Sequence, residues 1–242
     1  ILAWYHGGGW VVGDLDSADA TARDLCVGGK CVVVSVDYRL APDTKFPGPA
    51  NDCWAATIWA VENAASINAD GSRLAVGGDS AGGNLAAAMC LMAADRGGLD
   101  IALQVLIYPV TDVSFTTVSY QDNAEGYGLT KVVMEWYWDH YLSGSADASN
   151  PYAAPAQAKS LAGQPPALVI TAEFDPLRDE GEAYGKRLSE VGVETTTTRY
   201  DGVIHGFFNM NAVVDKSQQA VDEASAALRK AFARSGAPSA AD

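Results

Sequence analysis

Along the chain, short apolar runs alternate with longer stretches of helical periodicity. The runs Ile1 to Tyr5, Cys31 to Asp37, Arg73 to Gly77, Ala102 to Tyr108 and Ala167 to Thr171 are rich in Val, Leu, Ile and Ala. Several lack clean apolar–polar alternation, as strands buried on both faces do. Glu194 to Tyr200 is more polar, with a run of threonines, and suits a sheet edge. Helical spacing marks Ala18 to Val27, Pro49 to Ala65, Ala81 to Arg96, Lys131 to Leu142, Glu180 to Val191 and Val214 to Ala233. Gly192 stands where a helix C-terminus needs a residue free to turn left-handed. This rhythm predicts an α/β fold, a three-layer sandwich with a mostly parallel central sheet covered by helices. Residues 1–242 read as a single domain of that kind.

The stretch 111–165 breaks the rhythm. It is rich in Trp and Tyr and punctuated by Gly144, Pro151, Pro155 and Pro165-Pro166. It reads as an excursion over the strand ends holding one helix, a place where binding walls are built. The last residues, Ser235 to Asp242, are small and polar and read as a frayed tail.

Composition narrows the partners. The 30 Asp and Glu against 16 Lys and Arg give a net charge of -14. Such a surface repels nucleic-acid phosphates and anionic headgroups, which excludes nucleic acid as a partner. No segment approaches the roughly 18 apolar residues of a membrane span, and no signal peptide is visible. Cys26, Cys31, Cys53 and Cys90 form no CxxC pair and read as small buried hydrophobes in a reducing compartment, the cytoplasm. No metal site is implied.

Chemistry concentrates in four places. The first is Gly78-Asp79-Ser80-Ala81-Gly82, which follows an apolar run and opens a helical one. A G-x-S-x-G pentapeptide in that context is the condition for a nucleophile elbow, a strained turn that lifts Ser80 above the sheet. Its bland alternative is a Gly-rich turn with Ser80 or Asp79 as helix cap. The second is His6-Gly7-Gly8-Gly9-Trp10 after the first apolar run, a pattern whose backbone N–H groups can bind an oxyanion. It lacks the spacing of a phosphate-binding loop, and His6 reads as a loop-holding residue. The third is Asp175, past the strand Ala167 to Thr171 and before Pro176, placed to orient an imidazole; Glu173 is the competing orienter. The fourth is His205, flanked by Gly206 in a loop after the last strand. Of the other histidines, His140 lies in the aromatic helix around Trp136 and reads as a surface or packing residue. Ser80, Asp175 and His205 occur in the chain order of α/β-hydrolase triads.

With these residues the chain resembles the hormone-sensitive-lipase-like esterases, the bacterial family IV, in their GDSAG subgroup. The likeness also takes in Asp37-Tyr38-Arg39-Leu40-Ala41-Pro42, Tyr108-Pro109, Asp175 to Glu180 and His205-Gly206-Phe207. It implies the α/β-hydrolase fold, no cofactor, and a carboxylesterase acting on small-molecule esters of short- to medium-chain acids. By the same resemblance the oxyanion donors are the amides of Gly8, Gly9 and Ala81. The family usually carries cap helices and two further strands before the HGGG loop, where this chain has five residues. The strand Cys31 to Asp37 is then expected at an exposed edge, and the acyl pocket is expected to be incomplete.

Trp10, Phe207, Phe208 and the aromatics around Trp136 are candidates either for substrate-pocket walls or for plain packing; Trp10 and Phe207 are taken as substrate-binding. An amidase on the same triad, a non-catalytic binding protein and an inactive fragment are the rival readings. A homodimer through the polar last strand is an arrangement the pattern permits.

Overall fold

The computed structural model describes residues 1–235 of the 242, so the predicted frayed tail lies almost wholly outside the described residues. Six strands run in chain order: β1 (Leu2–Tyr5), β2 (Val33–Val36), β3 (Leu74–Asp79), β4 (Ile101–Ile107), β5 (Ala167–Phe174) and β6 (Thr195–Ile204). They form one sheet in the order β2-β1-β3-β4-β5-β6, every neighbouring pair parallel. The helices are α1 (Leu15–Gly29), α2 (Gly48–Glu62), α3 (Ala81–Arg96), α4 (Val118–Asp122), α5 (Lys131–Tyr141), α6 (Arg178–Glu190) and α7 (Asp215–Ser235).

The apolar runs become strands because parallel strands covered on both faces need side chains that fill two cores at once. In β1 the two-residue period divides the strand. Leu2 and Trp4 enter the core beneath α1 and α7, with Leu25, Ala224 and Leu228. Ala3 and Tyr5 enter the opposite core, with Cys53, Leu85 and Met89 from α2 and α3. Each fully buried Leu or Met contributes roughly 1.5–3 kcal/mol relative to exposure. Helix α1 starts on a reciprocal capping box in which Asp14 accepts from the Ser17 amide and Ser17 Oγ accepts from the Asp14 amide. Helix α3 is buried from Ala81 through Met92, which explains its Ala-rich, almost chargeless sequence.

Several boundaries differ from expectation. Strand β6 runs on to Ile204 through Gly202, and α1 begins three residues earlier than its apolar spacing, at its cap. The segment between β4 and β5 holds two α-helices, α4 and α5, where one was expected; α4 is a single turn started by the Thr117 side chain. Strand β2 is one edge of the sheet and β6 the other. The four cysteines are unpaired. Cys53 and Cys90 are buried as expected, but Cys26 is exposed, because the buried stripe of α1 runs through Ala18, Thr21 and Leu25. Among the described residues no helix is long and apolar enough to cross a membrane.

Candidate active site

The C-terminal ends of β1, β3, β5 and β6 open into the loops that carry the four motifs. Strand β3 ends at Asp79 and α3 starts at Ala81, so Ser80 alone makes the turn. Its φ of 56° and ψ of -118° are a conformation that non-glycine residues rarely hold. Two backbone bonds brace it: the Ser80 amide donates to the Ile107 carbonyl at 2.9 Å, and the Val110 amide donates to the Ser80 carbonyl at 3.3 Å. Gly82 makes the turn possible. A Cβ there would stand 1.8 Å from the Tyr5 carbonyl oxygen.

His205, past the end of β6, bridges the other two members. Its Nε2 lies 2.9 Å from Ser80 Oγ, and its Nδ1 lies 2.7 Å from Asp175 Oδ2. A carboxylate only accepts, so Nδ1 carries the proton and Nε2 is the acceptor facing the hydroxyl. Asp175 is fully buried and its second oxygen accepts from the Leu177 amide at 2.8 Å. Glu173 does not reach the imidazole. It accepts from the Gly202 amide at 2.6 Å, fastening β6 beside β5 where their register shifts.

The glycine loop after β1 is held from below. The Tyr38 hydroxyl donates to the His6 carbonyl at 2.7 Å, its ring stacks on the His6 ring at 4.3 Å, and His6 Nδ1 donates to the Gly7 carbonyl at 2.7 Å. His6 is thus a loop-holding residue. Among the described residues the amides of Gly8 and Gly9 donate to nothing, and the Ala81 amide is an orphan donor of the first turn of α3. Gly9 has a φ of 58°, and a Cβ on it would meet the Tyr137 ring at 2.2 Å, so α5 closes directly over this loop.

Asp79 is a contact the sequence did not reveal. One oxygen accepts from the Gly7 amide at 3.1 Å and the other from Asn209 Nδ2 at 3.2 Å, joining the glycine loop to the segment after His205. Burial holds the Asp79 carboxyl above the usual carboxylate range. Glu180 is another buried acid. Its Oε1 accepts from the Thr111 and Asp112 amides at 2.6 and 3.2 Å, and burial pushes it up to about 8. It ties the start of the 111–165 segment to α6.

The two residues expected to touch substrate do not present a surface to one. Trp10 is fully buried; its φ of 61° turns the ring inward, where it stacks on Tyr141 at 4.1 Å. Phe207 is equally buried, against Tyr108 and Tyr200, and Phe208 packs near Trp4. Both belong to cores because a Gly-flanked aromatic can turn either way, and here the apolar cluster lies inward. Trp136 is about half exposed, with His140 against it at 4.0 Å. An open trough of about 640 Å³ runs between the 113–115 segment and α5, lined by Val113, Phe115, Trp138 and Leu142.

A parallel sheet with a strained serine turn, an imidazole between serine and carboxylate, and free amides on a neighbouring glycine loop is the architecture of an α/β hydrolase. The family model described as the alpha/beta hydrolase fold matches residues 2–209. Carboxylesterase NlhH of Mycobacterium tuberculosis is 40% identical over 236 residues, covering 96% of this chain and 74% of that protein. Ethyl acetate hydrolase of Pseudomonas putida is 39% identical over 219 residues, covering 90% and 69%. The crystal structure of a thermostable esterase from Pseudomonas putida ECU1011 superposes with a TM-score of 0.93 at 43% identity, covering 96% of this chain and 74% of that one. The chain belongs to the hormone-sensitive-lipase-like family of α/β hydrolases, and it is a carboxylesterase.

Proposed function

We propose that the chain hydrolyses short- to medium-chain acyl esters through a Ser80–His205–Asp175 triad and a covalent acyl-enzyme. The observation that carries this reading is the double bridge of His205, 2.9 Å to Ser80 Oγ and 2.7 Å to Asp175 Oδ2. Ser80 Oγ attacks the ester carbonyl carbon while its proton passes to His205 Nε2. Asp175 holds the Nδ1–H tautomer and balances the charge on the imidazolium. The amides of Gly8, Gly9 and Ala81 receive the oxyanion; one such donor is worth roughly 100- to 1000-fold in rate. The imidazolium then protonates the leaving alcohol. Water attacks the acyl-enzyme, with His205 again taking and returning a proton.

The preference for small esters is supported by a relative that hydrolyses ethyl acetate. The free edge of β6 is the surface along which two copies would pair. The test of the reading is hydrolysis of p-nitrophenyl butyrate by the wild-type chain and by Ser80→Ala. The wild type is expected to cleave it, and Ser80→Ala to lose about 10⁵- to 10⁶-fold in kcat. Equal rates in the two would overturn the reading.

A further inference from the structure

Tyr108 has no part in the triad, yet its placement is costly. It follows β4 directly, with a φ of 33°, in the left-handed region that a bulky side chain avoids. Such strain persists only where surrounding structure over-determines it. Here the Tyr108 amide donates to the Ile170 carbonyl at 2.6 Å, and the elbow bonds of Ser80 to Ile107 and Val110 fix the chain on either side. In this conformation the Tyr108 ring lies 4.5 Å, centroid to centroid, from the His205 ring, tilted by 53°. Phe207 packs edge-on against the tyrosine ring at 5.9 Å. Tyr108 is fully buried, and the Phe208 backbone amide faces its hydroxyl.

The face of an aromatic ring attracts a cation within about 6 Å of its centre, and more strongly away from water. When the Ser80 Oγ–H bond breaks and the Oγ–carbonyl carbon bond forms, His205 Nε2 takes the proton and the ring carries a positive charge. We propose that Tyr108 is a positioning residue for the reaction: its ring fixes the imidazole between Ser80 and Asp175 and stabilises the imidazolium as it forms. This rests on the triad reading above. The charged and titratable groups facing this pair are Asp175 from the β5–α6 loop and Asp79 from β3, both of which favour the same cation. Burial holds the Tyr108 phenol well above its ordinary range, so it stays neutral and neither gives nor takes a proton.

The test is the pH profile of kcat/KM for p-nitrophenyl butyrate, with active sites counted by a phosphonate that labels Ser80. Tyr108→Phe keeps the ring and is expected to stay within about 2-fold of wild type. Tyr108→Leu removes the ring face: kcat is expected to fall about 10- to 30-fold with KM nearly unchanged. Its acid limb is expected to move to lower pH by about one unit, because the imidazolium loses its stabiliser. A series of increasingly fluorinated phenylalanines at position 108 keeps the shape and drains the ring face of negative charge, so it works even where the Leu variant does not fold. The acid limb should then move down step by step. Superimposed profiles across that series, with an active wild type, overturn the inference and leave the triad standing. A wild type whose hydrolysis does not depend on Ser80 overturns both.

Discussion

The elbow of β3 and α3 and the 111–165 segment meet at the same site but are built in opposite ways. Around Ser80 nearly every side chain is buried, from Leu74 through Met92, and the turn is braced by backbone bonds to two neighbours. In the 111–165 segment, α5 buries only Met134, Trp138 and Tyr141 and leaves Val132, Val133 and Trp136 open. The first region has no room to adjust, which is what holding reacting atoms at near 3 Å requires. The second meets the glycine loop through Tyr137, Trp138 and Tyr141 and leaves its outer face open. Precision and access are thus assigned to separate parts of the chain; Asn84 of α3 joins them through the Ala153 carbonyl, and Glu180 and Asp179 tie the second part to α6 through the Thr111 and Ser119 amides.

This contrast can be broken at four points. The largest effect is expected on the rigid side from Asp175→Asn, which keeps the shape but favours the wrong imidazole tautomer: kcat should fall about 10⁴-fold with the fold intact, measured by ester hydrolysis and circular dichroism. Gly82→Ala comes next. Its methyl would collide with the backbone of Tyr5 and His6, neither of which can retreat from the sheet. A loss of about 3 kcal/mol or more is expected, read as a drop in Tm near 10 °C; an unchanged Tm would mean the elbow is softer than described.

Glu180→Gln tests the tie to α6. The carboxyl is held up to about 8 against an ordinary 4.5, so the folded state binds its proton more tightly than the unfolded state does. Its contribution to stability is therefore present below about pH 4.5 and is lost as pH rises toward 8. Glutamine keeps an acceptor for the Thr111 amide without ionising. The variant should match wild type near pH 4.5 and exceed it at pH 8 to 9 by up to a few kcal/mol in thermal unfolding. The reverse trend would show that the two amides stabilise the carboxylate more than burial penalises it. The smallest effect is expected on the open side. Trp136→Ala should leave stability within about 0.5 kcal/mol and confine any kinetic change to KM; a fall in kcat would show that α5 helps to hold the reacting atoms.

Much of this was legible without coordinates. The parallel layers followed from apolar runs without alternation, and the strained turn at Ser80 followed from small residues on both sides of a serine between strand and helix. His205 stood out because only three histidines exist and one follows the last strand. Residues whose role rests on long-range contact were not legible. Asp79 and Asn209 lie 130 positions apart, and no local pattern links them. Tyr108 was visible only as part of a Tyr-Pro pair. Trp10 and Phe207 were misplaced because aromatic character next to glycine says that a ring must find apolar cover, and not whether a core or a ligand provides it.

The sequence by itself determined the strand–helix rhythm, the elbow, the chain order of Ser80, Asp175 and His205, and the acidic surface, because each depends on neighbours within a few residues or on a plain count. Only the tertiary structure decided that Trp10 turns inward, that Asp79 joins the glycine loop to Asn209, and that Tyr108 lies against His205. No local pattern marks these contacts. They are made when the sheet brings distant loops within hydrogen-bond or ring-contact distance and burial penalises every polar group left unpaired.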